Sequence, residues 1–181
     1  MKRIIFLDVE TTGLFVEHGD RIIELGCVEV INGFITGRVF HSFFNPGIKI
    51  SKGAFNIHGI KNDFLISKPM FYEKINEFLG FINNSTIIAH NAKFDISFIN
   101  KEISLTNLKM KKIQNYNTIL DSLLLFRKLY PRKKNNLNDL CLKFNIIKNK
   151  KRKHRGLDDA FLLAILIIKT GLIEKIFQIE I

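Results

Sequence analysis

Four apolar residues, Ile4-Ile5-Phe6-Leu7, run without interruption into Asp8-Val9-Glu10 within the first ten positions of the chain. Such a run has no polar face, so it reads as a strand covered on both sides that ends in acids where it reaches the rim of a sheet. A strand of this kind sits at the centre of a sheet, with helices above and below it. A hydrophobic content of 46% over the 181 residues is enough to fill one sizeable core around it.

The rest of the chain supplies partners for that strand. Arg21 to Ile31 and Phe34 to Asn45 are β-rich runs separated by Asn32-Gly33, a dipeptide suited to the positive φ values of a type I′ hairpin turn. After Pro46-Gly47 comes a stretch read as irregular, containing Ala54-Phe55-Asn56-Ile57-His58-Gly59. Pro69 then opens a helical pattern with Ile75, Phe78, Leu79 and Ile82 on one face. Thr86 to Ala89 predicts a strand leading into a helix through Ile96, Phe98, Ile99 and Ile103. Asn117 to Leu120 predicts another strand, followed by helices over Asp121–Tyr130, around Leu137–Phe144 and from near Arg155. Strands alternating with helices behind an initial hairpin predict an α/β domain with a mixed five-stranded sheet flanked by helices. One domain is expected over residues 1–175, with a short tail at 176–181.

The charge sum is 28 Lys+Arg against 17 Asp+Glu, or +11. That excess favours a polyanionic partner without separating nucleic acid from an anionic membrane surface. It is discounted in part because Lys, Asn, Ile and Phe are abundant together, as when codons drift towards A and T. Cys27 and Cys141 have no second thiol or histidine at ligand spacing, so neither a disulfide framework nor a zinc site is expected. The amino terminus is too short in apolar residues for a signal-peptide core, and Phe161 to Ile168 falls well short of a membrane span. A cytoplasmic protein with no membrane partner is the expectation.

Asp8 and Glu10, two apart on a strand, send both carboxylates from one face at the sheet rim. Two acids there repel unless a cation joins them. The chain turns at once through Thr11-Thr12-Gly13, small residues that let backbone amides approach a substrate and allow a positive φ at Gly13. Asp95 follows a strand and sits in the first turn of a helix, where the helix dipole alone would justify a carboxylate. Asp158-Asp159 opens the most apolar helix, five residues after His154 and the basic run Lys148–Lys153, in which a plain surface histidine is the competing reading. Taken together, these sites fall at strand ends and helix starts that one sheet can unite. Four carboxylates and a histidine suit hard divalent cations, Mg²⁺ or Mn²⁺, rather than zinc. Two such ions about 3.5 to 4 Å apart polarise a phosphodiester, activate a water and stabilise the leaving oxygen, with histidine as the natural base.

Leu7-Asp8-Val9-Glu10-Thr11-Thr12-Gly13, His90-Asn91-Ala92-Lys93-Phe94-Asp95 and His154 with Asp159 resemble the three motifs of the DEDDh family of 3′–5′ exonucleases. Supporting stretches are Ile22 to Val30, Ile57-His58-Gly59-Ile60 and Leu137-Asn138-Asp139-Leu140-Cys141, and the similarity runs from about Arg3 to Thr170. The resemblance implies a ribonuclease-H-like fold. It implies Asp8, Glu10, Asp95 and Asp159 as metal-binding acids, with His154 as general base. It maps a pocket for the terminal nucleotide onto Thr11, Thr12, Gly13, Leu14, Ile57, His58 and Phe94, with Leu14 and Phe94 packing the bases. For those last two, plain core packing is the alternative. His90 and Asn91 are expected to serve core hydrogen bonding, and His18 and His41 to be structural.

Within the family the chain is most similar to proofreading subunits of bacterial replicative polymerases, which implies a DNA 3′ end as substrate and a polymerase subunit as partner. Those subunits usually carry a further C-terminal segment for polymerase attachment, whereas this chain ends at Ile181, so attachment stays open. Asp158 is a second departure, since an apolar residue is common there. Neighbouring helix positions point about 100° apart, so Asp158 and Asp159 cannot share one metal site, and the family spacing selects Asp159. An RNA-trimming exonuclease of the same family and a non-catalytic nucleic-acid-binding protein are the competing functions.

Overall fold

The computed structural model of the chain describes residues 2–148 and 153–179. Five strands form one sheet: β1 (Arg3–Thr11), β2 (Ile22–Ile31), β3 (Phe34–Phe43), β4 (Thr86–Ala89) and β5 (Thr118–Asp121), in the order β3-β2-β1-β4-β5. β2 runs antiparallel to both β1 and β3, and β4 and β5 continue parallel to β1. The tight hairpin predicted at Asn32-Gly33 joins β2 to β3, with φ of 50° and 86° at those two residues.

Eight α-helices complete the described fold: α1 (Lys52–His58), α2 (Asn62–Leu65), α3 (Phe71–Ile82), α4 (Ala92–Ser104), α5 (Ser122–Leu129), α6 (Leu137–Lys143), α7 (Gly156–Lys169) and α8 (Leu172–Ile179). α1 falls where the sequence reads as irregular. Ser51 caps it by accepting from the Ala54 amide at 3.2 Å, and Gly59 ends it in the left-handed region at φ 70°. The expected boundary at residue 175 falls inside α8. Residues 176–179 continue that helix, and Ile176 is buried rather than part of a tail.

The period-two alternation of β1 divides the interior. Ile5, Leu7 and Val9 join a layer with α3 and α4, while Ile4 and Phe6 face a second layer with α5, α6, α7 and α8. α7 supplies the centre of the second layer through Leu163, Leu166 and Ile167, each 1% exposed or less, and burial of each such side chain contributes about 1.5–3 kcal/mol. Asp8 and Glu10 continue the α7-facing side of β1, so the helix that anchors this core also closes over the acidic rim.

That closure depends on two glycines. A Cβ at Gly26 of β2 would lie 2.3 Å from the Leu157 nitrogen, and one at Gly156 would lie 3.0 Å from the Asp8 carbonyl oxygen. Only hydrogen fits at this crossing, and the first turn of α7, with Asp159, therefore rests directly on β1 and β2.

Candidate active site

Four carboxylates and one imidazole converge at the C-terminal end of β1. Asp8 and Glu10 arrive on the strand, Asp95 on the first turn of α4 and Asp159 on the first turn of α7. The Val9 amide donates to Asp95 Oδ1 at 3.1 Å, which ties α4 to the strand between its two acids. Ligand-type atoms of Glu10, His154 and Asp159 lie within 4.8 Å of one another, close enough for a single cation to bridge. Asp159 is 2% exposed, whereas the neighbouring Asp158 is exposed, as expected if only one of the pair serves the cluster.

Burial, reinforced by Asp95, Asp159, Glu10 and Glu24, raises the Asp8 carboxyl well above the usual carboxylate range. Glu10 is pushed up to about 8 by burial and then by Asp159, Glu24 and Asp95, with Arg155 opposing. Burial also lifts Asp95 to about 8, against the stabilising backbone amides of Val9 and Asp95 itself. A site that holds the carboxyls of Asp8, Glu10 and Asp95 above their usual range is short of positive charge. All-oxygen donors with one imidazole nitrogen match a hard divalent cation, so the residues present fit such an ion.

His154 is held on both ring nitrogens. Nδ1 donates to Asp159 Oδ2 at 2.7 Å, and Nε2, the acceptor in that tautomer, receives the Asn138 side-chain amide at 3.2 Å. Its backbone amide donates to the Ile57 carbonyl at 3.3 Å, and Lys153 Nζ donates to the Asn56 carbonyl at 2.8 Å, so α1 braces the segment that carries it. Arg155 is braced by Glu24 of β2, which is 1% exposed and cross-strand partner of Glu10. Glu24 accepts from Arg155 Nε at 3.0 Å and meets His41 Nε2 at 2.8 Å. Glu24, Arg155 and Asn138 are contributors to the site that sequence reasoning does not find. The only signal for Glu24 is that it is one of two acids, with Glu29, in an otherwise apolar strand.

The residues mapped to the nucleotide pocket gather at two adjoining elements. Thr12 is fully buried, with its hydroxyl on Asp20 Oδ1 at 2.9 Å, and its carbonyl accepts from the Ser51 amide at 2.8 Å. That last bond sets α1, with Ile57 and His58, beside the Thr11-Thr12-Gly13 turn. Gly13 does not take the positive φ expected of it. Its requirement is steric, since a Cβ there would sit 2.3 Å from the Asp20 carboxylate that organises the turn. Leu14 and Ile57 are left 64% and 47% exposed, apolar surface at the mouth of the site. His58 is buried with Nδ1 accepting from the Ile60 amide, while its Nε2 has no hydrogen-bond partner. Phe94 is half-buried, its ring 4.8 Å from Phe98 and packed against the α3/α4 core.

Three other histidines lie outside the cluster. His90 is satisfied within the fold, with Nδ1 2.9 Å from Ser122 Oγ and Nε2 donating to the Asn135 carbonyl. His41 serves Glu24, and His18 stacks loosely on Phe15. The basic run at 148–153 lies outside the described residues from 149 to 152.

A mixed sheet in the order 3-2-1-4-5, with a carboxylate cluster at the end of its central strand, defines a ribonuclease-H-like nuclease. A family model described as Exonuclease (RNase_T) matches residues 5–167, and the chain belongs to that family, whose members use divalent metal ions. The chain is 42% identical to the DNA polymerase III subunit epsilon of Buchnera aphidicola (subsp. Acyrthosiphon pisum), with 98% of this chain and 76% of the relative covered. It is 42% identical to the protein of that name from Rickettsia felis, with 90% and 71% covered. Among solved structures, exonuclease X in complex with 5′ overhanging duplex DNA is 28% identical over 93% of this chain and 89% of that one, with a TM-score of 0.64. The nuclease domain of 3′hExo, a DEDDh family member bound to rAMP, shares the fold at a TM-score of 0.76 and 19% identity, covering 94% of this chain and 92% of that one.

The raised carboxyls have a consequence for stability. A group whose folded pKa lies above its unfolded value favours the folded state below the unfolded pKa, and that contribution is lost as pH rises through the folded pKa. For Glu10 and Asp95 the window runs from about 4 to about 8. His58 and His90, whose pKa values burial lowers, act with the opposite sign, but only below about 6.5, where their unfolded forms take protons. Metal-free protein is therefore expected to lose several degrees of melting temperature between about pH 6.5 and 8.5, and Mn²⁺ is expected to remove that loss. Calorimetry across this range checks both; a melting temperature that holds or rises would mean the acids do not repel.

Proposed function

We propose that the chain is a metal-dependent 3′–5′ exonuclease that removes terminal, mispaired nucleotides from DNA as 5′-monophosphates, proofreading replication in the cytoplasm. The observation that carries this reading is the meeting of His154 with Glu10 and Asp159 inside a carboxylate cluster, in a chain whose relatives include DNA polymerase III epsilon subunits. Asp8, Glu10, Asp95 and Asp159 would hold two divalent cations, Mg²⁺ or Mn²⁺. Bound there, such ions supply the positive charge that polarises the phosphodiester and eases ionisation of water.

The remaining work falls to this chain's own groups. Asp159 holds a proton on Nδ1 of His154 and so keeps Nε2 unprotonated, able to accept a proton from the attacking water once the Asn138 amide gives way. The Thr11-Thr12-Gly13 turn, braced by Asp20, presents backbone to the terminal nucleotide. Leu14, Ile57 and Phe94 offer apolar surface to its base, with His58 buried at the adjoining end of α1. Exposed apolar side chains select an unstacked base over a paired one, because a duplex end keeps its bases stacked on each other. The polymerase III alpha subunit is the proposed protein partner, by analogy with relatives of which this chain spans about three quarters or slightly less. No described helix is long and apolar enough to cross a membrane.

Digestion of matched and 3′-mismatched DNA primers and of equivalent RNA, with and without Mg²⁺ or Mn²⁺, tests the reading. Metal-dependent release of 5′-mononucleotides, faster from the mismatched primer, is expected. Cleavage of RNA alone would move the chain to RNA trimming, and no metal-dependent cleavage of either would leave a binding protein.

A further inference from the structure

One cationic feature of the described surface plays no part in the chemistry above. Between Phe126 and Asn135 the sequence Arg127-Lys128-Leu129-Tyr130-Pro131-Arg132-Lys133-Lys134 carries five cations and no acid. Its second half borders an open groove of about 610 Å³, lined by Tyr130, Lys133, Lys134, Asp139 and Lys143 among others. Three lysines against one aspartate leave this lining at +2. Asp139 is itself engaged by the Asn136 side-chain amide at 2.7 Å. Lys143 Nζ lies 3.2 Å from the centre of the Tyr130 ring, which covers that face, so the groove offers charge rather than a free stacking surface.

The groove is built, not a random scatter of lysines. Asn135, 7% exposed, donates from Nδ2 to the carbonyls of Tyr130 and Lys133 at 3.0 and 2.9 Å, which folds the loop back on itself. Its own carbonyl accepts from His90 Nε2 at 2.8 Å, anchoring the loop to the end of β4. Arg132, at φ 61°, takes a left-handed conformation that costs a non-glycine residue energy, and the bonds around it hold the turn in place.

Its position relative to the site gives the groove a direction. Ile57 of α1 binds the His154 backbone on one side, and Asn138 of α6 binds the His154 ring on the other. The next residue, Asp139, lines the groove. α1, His154 and α6 therefore follow one another, and the residue after Asn138 on α6 borders the groove. A strand whose last nucleotide rests at α1 and whose scissile phosphate meets His154 continues towards α6. We propose that this groove binds the phosphodiester backbone of the substrate strand a few nucleotides upstream of its 3′ end, a reading that rests on the exonuclease assignment for its direction. Affinity for long strands then comes from phosphate contacts remote from the reacting bond.

The test is equilibrium binding of 5′-labelled single-stranded DNA in EDTA, across a salt series, to the wild-type chain and to the Lys133→Gln/Lys134→Gln variant. Both lysines are exposed, and an unchanged melting temperature verifies the fold. The variant is expected to bind a long strand about tenfold more weakly, with the salt slope reduced by about 1.4, or roughly 0.7 for each phosphate left without its lysine on a single strand. The deficit should shrink to nothing on a dinucleotide, and Lys133→Arg/Lys134→Arg should restore the slope. Equal affinity and slope in variant and wild type would overturn the groove, as would an equal deficit on the dinucleotide. If the wild type shows this binding yet releases no nucleotides, the groove stands and the exonuclease reading falls. If it releases nucleotides while the variant binds normally, the reverse holds.

Discussion

Asp8→Asn is expected to abolish nucleotide release while leaving metal-free protein as stable as the wild type or more so. The carboxyl of Asp8 is crowded by Asp95, Asp159, Glu10 and Glu24, all of which oppose its ionisation on top of burial. Removing its charge without changing its shape relieves repulsion in the absence of metal and, with Asp8 in the proposed metal set, deletes a ligand in its presence. If that ligand's loss forfeits several kcal/mol of charge stabilisation in the transition state, the rate falls by about three powers of ten, since each 1.36 kcal/mol is tenfold. Single-turnover assays and melting curves on the same preparations separate the two effects. Retained turnover would remove Asp8 from the metal set, and a sharp drop in melting temperature would make it a structural residue.

His154→Ala is expected to lower kcat by about 10² to 10⁴, the usual contribution of a positioned general base, with primer affinity changed less than about twofold. The prediction follows from where the ring is held. Asp159 and Asn138 hold its two nitrogens, so the ring is oriented by the protein rather than by a bound nucleotide. Kinetics and equilibrium binding measured side by side decide it. Parallel loss of rate and affinity would make His154 a contact to the nucleotide rather than a base.

The parts of this fold that declare themselves in the sequence are those set by local pattern. Ile4 to Leu7 has no polar face and is a central strand; Asn32-Gly33 demands positive φ and is a hairpin; Ile75, Phe78 and Ile82 mark one apolar face of a helix that begins at Phe71, two residues after Pro69. Asp8, Glu10, Asp95, His154 and Asp159 are legible because acids at strand ends and helix starts are costly without a shared purpose. α1 escapes because seven residues give too few turns for a clear period, although Ser51 and Gly59 mark both its ends. Gly13 reads as a backbone requirement and is a packing one, which only the position of Asp20 reveals. Glu24, Arg155 and Asn138 are invisible for a different reason. Their partners lie across the sheet or on another helix, and no spacing along the chain encodes a contact of that range.

The order of strands in the sheet has a bearing on how the molecule assembles. β1, β2 and β3 are joined by short connections and pair with their sequence neighbours, so this meander closes few long loops. It carries Asp8, Glu10 and Glu24. Asp95 and Asp159 join only when β1 meets β4, pairing Ile4 with Thr86, and when α7 docks across Gly26, contacts whose loop-closure entropy makes them late. Repulsion among Asp8, Glu10 and Glu24 is thus already present in the meander, and the further repulsion from Asp95 and Asp159 arises only in the last steps of folding. A divalent cation is then expected to slow unfolding more than it speeds folding, because it binds a cluster that exists only on the native side of the barrier.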